Sequence, residues 1–176
     1  MAAANIGRER GKEGGVTLVE LVIVMSLLAI MAAVAVPNMN QFLRDARLSS
    51  QTDLLASSLQ LARTEAINRR VNITVCPLAN PNADNACSAD AADWARGWGV
   101  LAGANILQRV TANPAVTIAP DVIAGAMPVV VVFNPTQGNA TQDVSLRLCA
   151  AGSQQRTVRV SLSGRIGRQI GPAACP

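Results

Sequence analysis

The sequence predicts an α+β protein: one long N-terminal helix, membrane-spanning in its first half, packed on an antiparallel β-sandwich head. Three observations predict it. From Val16 to Val36 there are 21 residues and a single charge, Glu20. From Asn38 to Arg70 there is neither Gly nor Pro, and apolar residues recur at helical spacing. From Val71 onward, short β-rich runs alternate with clusters of Gly, Pro, Asn and Asp.

Residues 1–15 are polar and Gly-rich, with Arg8, Arg10 and Lys12 set against Glu9 and Glu13. The following run, as a helix rising ~1.5 Å per residue, is ~31 Å long and matches the hydrocarbon core of a bilayer. Its basic flank predicts a cytoplasmic N-terminus and a periplasmic body. Glu20 is costly there unless it has a partner, so it marks function. A plain signal anchor with a snorkelling Glu20 is the alternative, and Ala32-Ala33-Val34-Ala35 loosely resembles a secretory cleavage site. Pro37 is expected to end or kink the segment. Residues 38–70 continue it as an amphipathic helix whose stripe Leu48, Leu55, Leu59, Ala62 and Ala66 faces the folded body. Residues 71–176 form a β-rich head, with strands expected at Val71–Cys76, Trp98–Leu101, Ile106–Thr111, Ala115–Ile118, Val129–Phe133, Val144–Leu148 and Thr157–Leu162.

Composition narrows the chemistry. The 176 residues contain no His and no Tyr, and the only Lys is Lys12. General acid–base catalysis draws first on His, and covalent catalysis often on Lys or Tyr. The chain therefore reads as a structural and interaction protein with no catalytic centre and no cofactor. A membrane-anchored periplasmic enzyme is the weaker alternative.

The segment Gly15-Val16-Thr17-Leu18-Val19-Glu20 resembles the cleavage and methylation site of type IV prepilins and pseudopilins. The resemblance implies a prepilin peptidase that cuts after Gly15 and N-methylates Val16, where the family usually has Phe. It also implies that Glu20 pairs with the N-terminal amine of a neighbouring subunit during assembly. A buried carboxylate wants such a cation. Leu48-Ser49-Ser50, Leu59–Ile67, Cys76-Pro77, Trp94 with Gly97-Trp98, Phe133 with Gly138, and Leu148-Cys149 with Ser163-Gly164-Arg165 resemble the GspH/FimT type of minor pseudopilin. That implies a pilin-like fold, other pilins or pseudopilins as partners, residence in the inner membrane before assembly, and a place in a filament afterwards.

The cysteines, Cys76, Cys87, Cys149 and Cys175, all follow the membrane segment. Without His or a C-x-x-C spacing a zinc site is disfavoured, and a periplasmic address favours disulfides. Of three possible pairings, Cys76–Cys87 and Cys149–Cys175 each close a local loop. The first loop carries Asn82, Asp84, Asn85, Asp90 and Asp93, oxygen donors whose spacing fits no EF-hand. Trp94 and Trp98 read as core.

The last 33 residues hold Arg147, Arg156, Arg159, Arg165 and Arg168 and no acid, a formal side-chain charge of +5 against +4 for the whole chain. Alternation puts Arg147, Arg159 and Cys149 on one outer face, with the tail bringing Arg165 and Arg168 to the same surface. Five arginines without neighbouring carboxylates suit phosphate oxygens; edge solvation is the plainer reading. FimT-type proteins are associated with DNA uptake through a C-terminal Gly-Arg-x-Arg. Here Gly164-Arg165-Ile166-Gly167-Arg168 keeps the first Arg and displaces the second by one residue. The resemblance thus implies weakly sequence-dependent contact with double-stranded DNA, in a minor pilin active in natural transformation. A GspH-type pseudopilin of a type II secretion system, without DNA binding, is the alternative.

Overall fold

The computed structural model describes residues 15–121 and 129–175, except for the side chains of residues 34–38. The leader upstream of Gly15 lies outside the described residues. One helix, α1, runs Leu18–Arg69. Eight strands follow: β1 Ile73–Pro77, β2 Gly97–Ala102, β3 Asn105–Thr111, β4 Thr117–Pro120, β5 Val131–Phe133, β6 Val144–Cys149, β7 Gln154–Val160 and β8 Ile166–Ala174. The chain divides into two compact units, Met1–Met39 and Asn40–Pro176.

In the first unit the large side chains from Val16 to Met31 are exposed, Leu18 at 78% and Met31 at 67%. Among the described residues no helix is long and apolar enough to cross a membrane. The predicted span continues through residues 34–36, whose side chains lie outside the described set. Pro37 does not end the helix, which is continuous to Arg69. A proline removes one hydrogen bond and costs ~3 kcal/mol, a sum that 52 helical residues absorb.

The head is a sandwich of two four-stranded antiparallel sheets, ordered β3-β2-β1-β5 and β4-β6-β7-β8. One core joins both sheets to the helix. Leu48, Leu55, Leu59, Ala62 and Ala66 of α1 are buried with Ile73, Val75 and Phe133 of the first sheet and Leu146, Leu148 and Val158 of the second. The expected apolar stripe of α1 is thus the surface that packs. Trp94 and Trp98 are fully buried. Trp94 sits in a 3-10 turn, Ala91–Ala95, and its Nε1 donates to the Val129 carbonyl at 3.1 Å.

Each of the seven expected strands shifts at one end or both, and two of the shifts have a visible local cause. β4 starts at Thr117 because Asn113 closes a turn: its side chain accepts from the Ala115 N–H at 2.9 Å and its carbonyl from Val116. β7 stops at Val160 because residues 161–165 turn back, with Gly164 at φ 74° donating to the Ser161 carbonyl.

A larger correction concerns the C-terminus, which is not a draped tail but the edge strand β8, paired to β7 from Val160–Ile166 to Gln154–Ala174. Its two glycines and Pro172 hide it from any propensity count, and such residues are tolerated at a sheet edge. Cys149–Cys175 pins its far end to β6, and Cys76–Cys87 staples β1 to the acidic loop, with Cα separations of 5.4 and 5.5 Å. Loop entropy assigns each bridge roughly 3 kcal/mol.

Candidate functional site

The N-terminal site is built by the start of α1. Thr17 caps the helix: its Oγ1 accepts from the Glu20 N–H at 3.2 Å and its carbonyl accepts from Leu21 at 3.1 Å. A Thr cap with Glu at the third helical position is the capping-box spacing. The sequence reading passes over Thr17, although T-x-x-E ahead of an apolar run is a visible signal. Gly15 and Val16 stand exposed just before the helix. Among the described residues a Cβ at Gly15 would meet nothing within 4 Å, so no packing there demands glycine.

The arginine-rich end is divided by the sheet register. Ser145 pairs with Arg159 and Arg147 with Thr157, so Arg147 and Arg159 do share the outer face. Arg147 is not free of carboxylates, however. Its guanidinium meets Asp121 at 2.5 Å, and Asp121 also accepts from Ser145 Oγ at 3.0 Å. Arg156 and Arg168 are on the other face, since they pair with the inward positions Leu148 and Val158. Arg156 donates to Ser49 of α1 at 3.3 Å, and Arg168 forms an ion pair with Asp53 of α1. The expectation of five unpartnered arginines on one surface therefore fails, because strand alternation sends two of them toward the helix and tertiary contacts neutralise Arg147 and Arg168. Arg159 and Arg165 are exposed and have no carboxylate partner among the described residues.

Arg165 has other company. It lines a cleft with Gln60, Arg63, Thr64 and Ile67 of α1 and with Ile166. Arg63 lies flat across two positive-φ glycines: an added Cβ would meet its Cγ at 2.8 Å from Gly138 and its Nε at 3.2 Å from Gly164. Those glycines make room for the side chain and fix where it runs. Arg63 is a residue the sequence reading left on the amphipathic helix without a role, since helix periodicity says nothing of which loop it will meet.

The acidic loop spends its oxygens internally. Asp84 accepts from the Asn80 N–H at 2.7 Å, Asp90 caps the 3-10 turn, Asp93 accepts from Ser88 Oγ and pairs with Arg96, and Asn85 accepts from Arg109. Asn82 Oδ1 accepts from Thr111 Oγ1 at 3.5 Å. Among the described residues no cluster of metal-ligating side chains occurs.

Comparison with known proteins agrees with the geometry at both ends. Residues 51–164 match the family model described as type II transport protein GspH, and residues 10–36 match the prokaryotic N-terminal methylation motif. The type IV minor pilin FimU of Pseudomonas aeruginosa shares 21% identity and superposes at a TM-score of 0.54, over 73% of this chain and 99% of its own. The minor pseudopilin EpsH from the type 2 secretion system of Vibrio cholerae shares 13% identity at a TM-score of 0.50, over 72% and 99%. No curated protein matches the chain. Long helix, two-sheet head and N-terminal motif converge with the matched family, and the chain belongs to the GspH family of pilin-like proteins.

Proposed function

We propose that this chain is a minor pilin, cut after Gly15 by a prepilin peptidase, methylated on Val16, held in the inner membrane by residues 16–37, and then built into a type IV pilus or its tip. In this reading residues 38–70 continue the helix and residues 71–176 form the head. The observation that carries it is the bare apolar helix. Leu21, Val22, Ile23, Val24 and Met25 are consecutive positions that cover every side of α1, and all are about half exposed or more. A helix apolar all round needs lipid or other helices around it. Gly15 and Val16 stand exposed ahead of the helix, which leaves the bond between them open to an outside enzyme. The test is the mass of the chain recovered from membranes and from sheared filaments. A chain that begins at Val16 and carries one methyl group is expected; an intact residue 1 in both fractions overturns the reading. Recovery from a secretion pseudopilus rather than a pilus would favour the GspH-type alternative.

A second reading, contact with double-stranded DNA, is supported by Arg165 and Arg159, both exposed and neither held by a carboxylate among the described residues. Arg147, Arg156 and Arg168 contribute less to it, being engaged with Asp121, Ser49 and Asp53. No aromatic residue follows Phe133, so base stacking is absent and binding should track salt rather than sequence. In a titration with duplex DNA, Arg165→Ala is expected to weaken binding about fivefold and to flatten its salt dependence. Equal binding by variant and wild type would remove Arg165 from the contact.

A further inference from the structure

We infer that Arg63 of α1 and Arg165 form the two walls of one phosphate-binding cleft, with Arg70 one step further along, and that DNA is held on this helix side of the head. The inference rests on the DNA reading above and moves its centre away from the outer face of the second sheet.

Three observations carry it. First, Arg63 and Arg165 line the same cleft from different elements, and neither side chain has a hydrogen bond or ion pair among the described residues. Every other arginine contributed by β6, β7 or β8, apart from Arg159, already has a polar partner. Second, Arg63 is preorganised. Its stem packs on Gly138 and its Nε passes close to Gly164, both at positive φ, so backbone walls confine the stem where no carboxylate holds the guanidinium. A side chain fixed before binding loses less entropy on binding. Third, the basic track continues. Ile67 walls both this cleft and an adjoining hollow formed with Arg70, Pro135 and Thr136. Arg63 lies six residues, or ~9 Å of helix rise, before Arg69, the last residue of α1, and Arg70 follows at φ 57°. Phosphates of one DNA strand advance ~3.4 Å each along the duplex axis, so arginines that far apart reach different phosphates. Glu65, two residues along α1 from Arg63, is paired with Arg69. Ile67 and Ile166 supply apolar contact for the sugars, which suits a nucleotide chain better than a bare inorganic ion.

The experiment is a titration of the mature full-length chain, in detergent, with a short random-sequence DNA duplex at two salt concentrations. Wild type is compared with Arg63→Ala, Arg63→Gln, Arg165→Ala and the charge-matched control Arg47→Ala, an exposed helix position outside the cleft. Arg63→Ala and Arg63→Gln are each expected to weaken binding about fivefold at low salt and to reduce the salt slope by about 0.9, as loss of one phosphate contact does. Thermal unfolding of each variant checks the fold, and Gln keeps a polar stem over the glycines should Ala destabilise them. Binding by both Arg63 variants that matches Arg47→Ala, while Arg165→Ala weakens it, would overturn the cleft and leave the DNA reading standing. No binding by wild type at either salt would overturn the DNA reading itself, and the cleft with it.

Discussion

Glu20→Ala is expected to leave cleavage after Gly15 intact and to abolish incorporation into filaments. Two roles compete for this carboxylate. As the third residue of α1 it stands at the capping-box position relative to Thr17, whose Oγ1 accepts from the Glu20 N–H. As the one charge in an apolar run it would, in the proposed filament, pair with a cation from another subunit. The magnitudes separate them. A cap is worth about 1 kcal/mol, whereas removing one partner of a buried ion pair costs ~3–5 kcal/mol, or at least a hundredfold in an assembly equilibrium. Glu20→Gln decides between them, because Gln serves a capping box as Glu does but carries no charge. If pairing is the role, Glu20→Gln fails in filaments as completely as Glu20→Ala; if capping is the role, it assembles. Immunoblots of sheared filaments and membranes, read beside the size shift of leader removal, give the answer.

Trp94→Ala is expected to lower the stability of the head by ~3–5 kcal/mol, a large part of the ~5–15 kcal/mol that holds a domain together. Trp94 is fully buried, and its 3-10 turn packs against β1, β2 and β4, so it fills the space where the two sheets and their connection meet. Its removal also strands the Val129 carbonyl, which accepts from the indole N–H. Trp98, equally buried, has no partner for its indole nitrogen among the described residues. The paired substitutions Trp94→Phe and Trp98→Phe should therefore differ: the first loses a hydrogen bond, the second removes an unsatisfied donor. Denaturant unfolding with the disulfides intact measures both, and equal losses would show that packing alone decides.

Patterns with a short period were legible in the sequence. The seam Leu48–Ala66 could be placed because an apolar residue every three or four positions has only one face to bury. The β6–β7 hairpin was legible by the same logic with period two, so the shared outer face of Arg147 and Arg159 followed from counting. β8 was not, because Gly167, Gly171 and Pro172 erase the alternation. Its place comes from β7 beside it and from the Cys149–Cys175 bridge beyond it.

Charge behaved differently from pattern. The run Val144–Pro176 holds five arginines and no acid, yet Arg168 meets Asp53, 115 residues earlier, and Arg147 meets Asp121. Which arginines keep an unmatched charge depends on strand register and on which helix face lies beneath the sheet. Arg63 is the converse case, an unremarked helix residue given a site by Gly138 and Gly164 from two distant loops. Helix, sandwich and the processing motif around Gly15 follow from short-range order along the chain, because periodicity and local spacing act over a few residues. The electrostatic surface follows only from folding, because Coulomb interactions are settled by distance in space, and contacts across a hundred residues leave no trace in the neighbourhood of either partner.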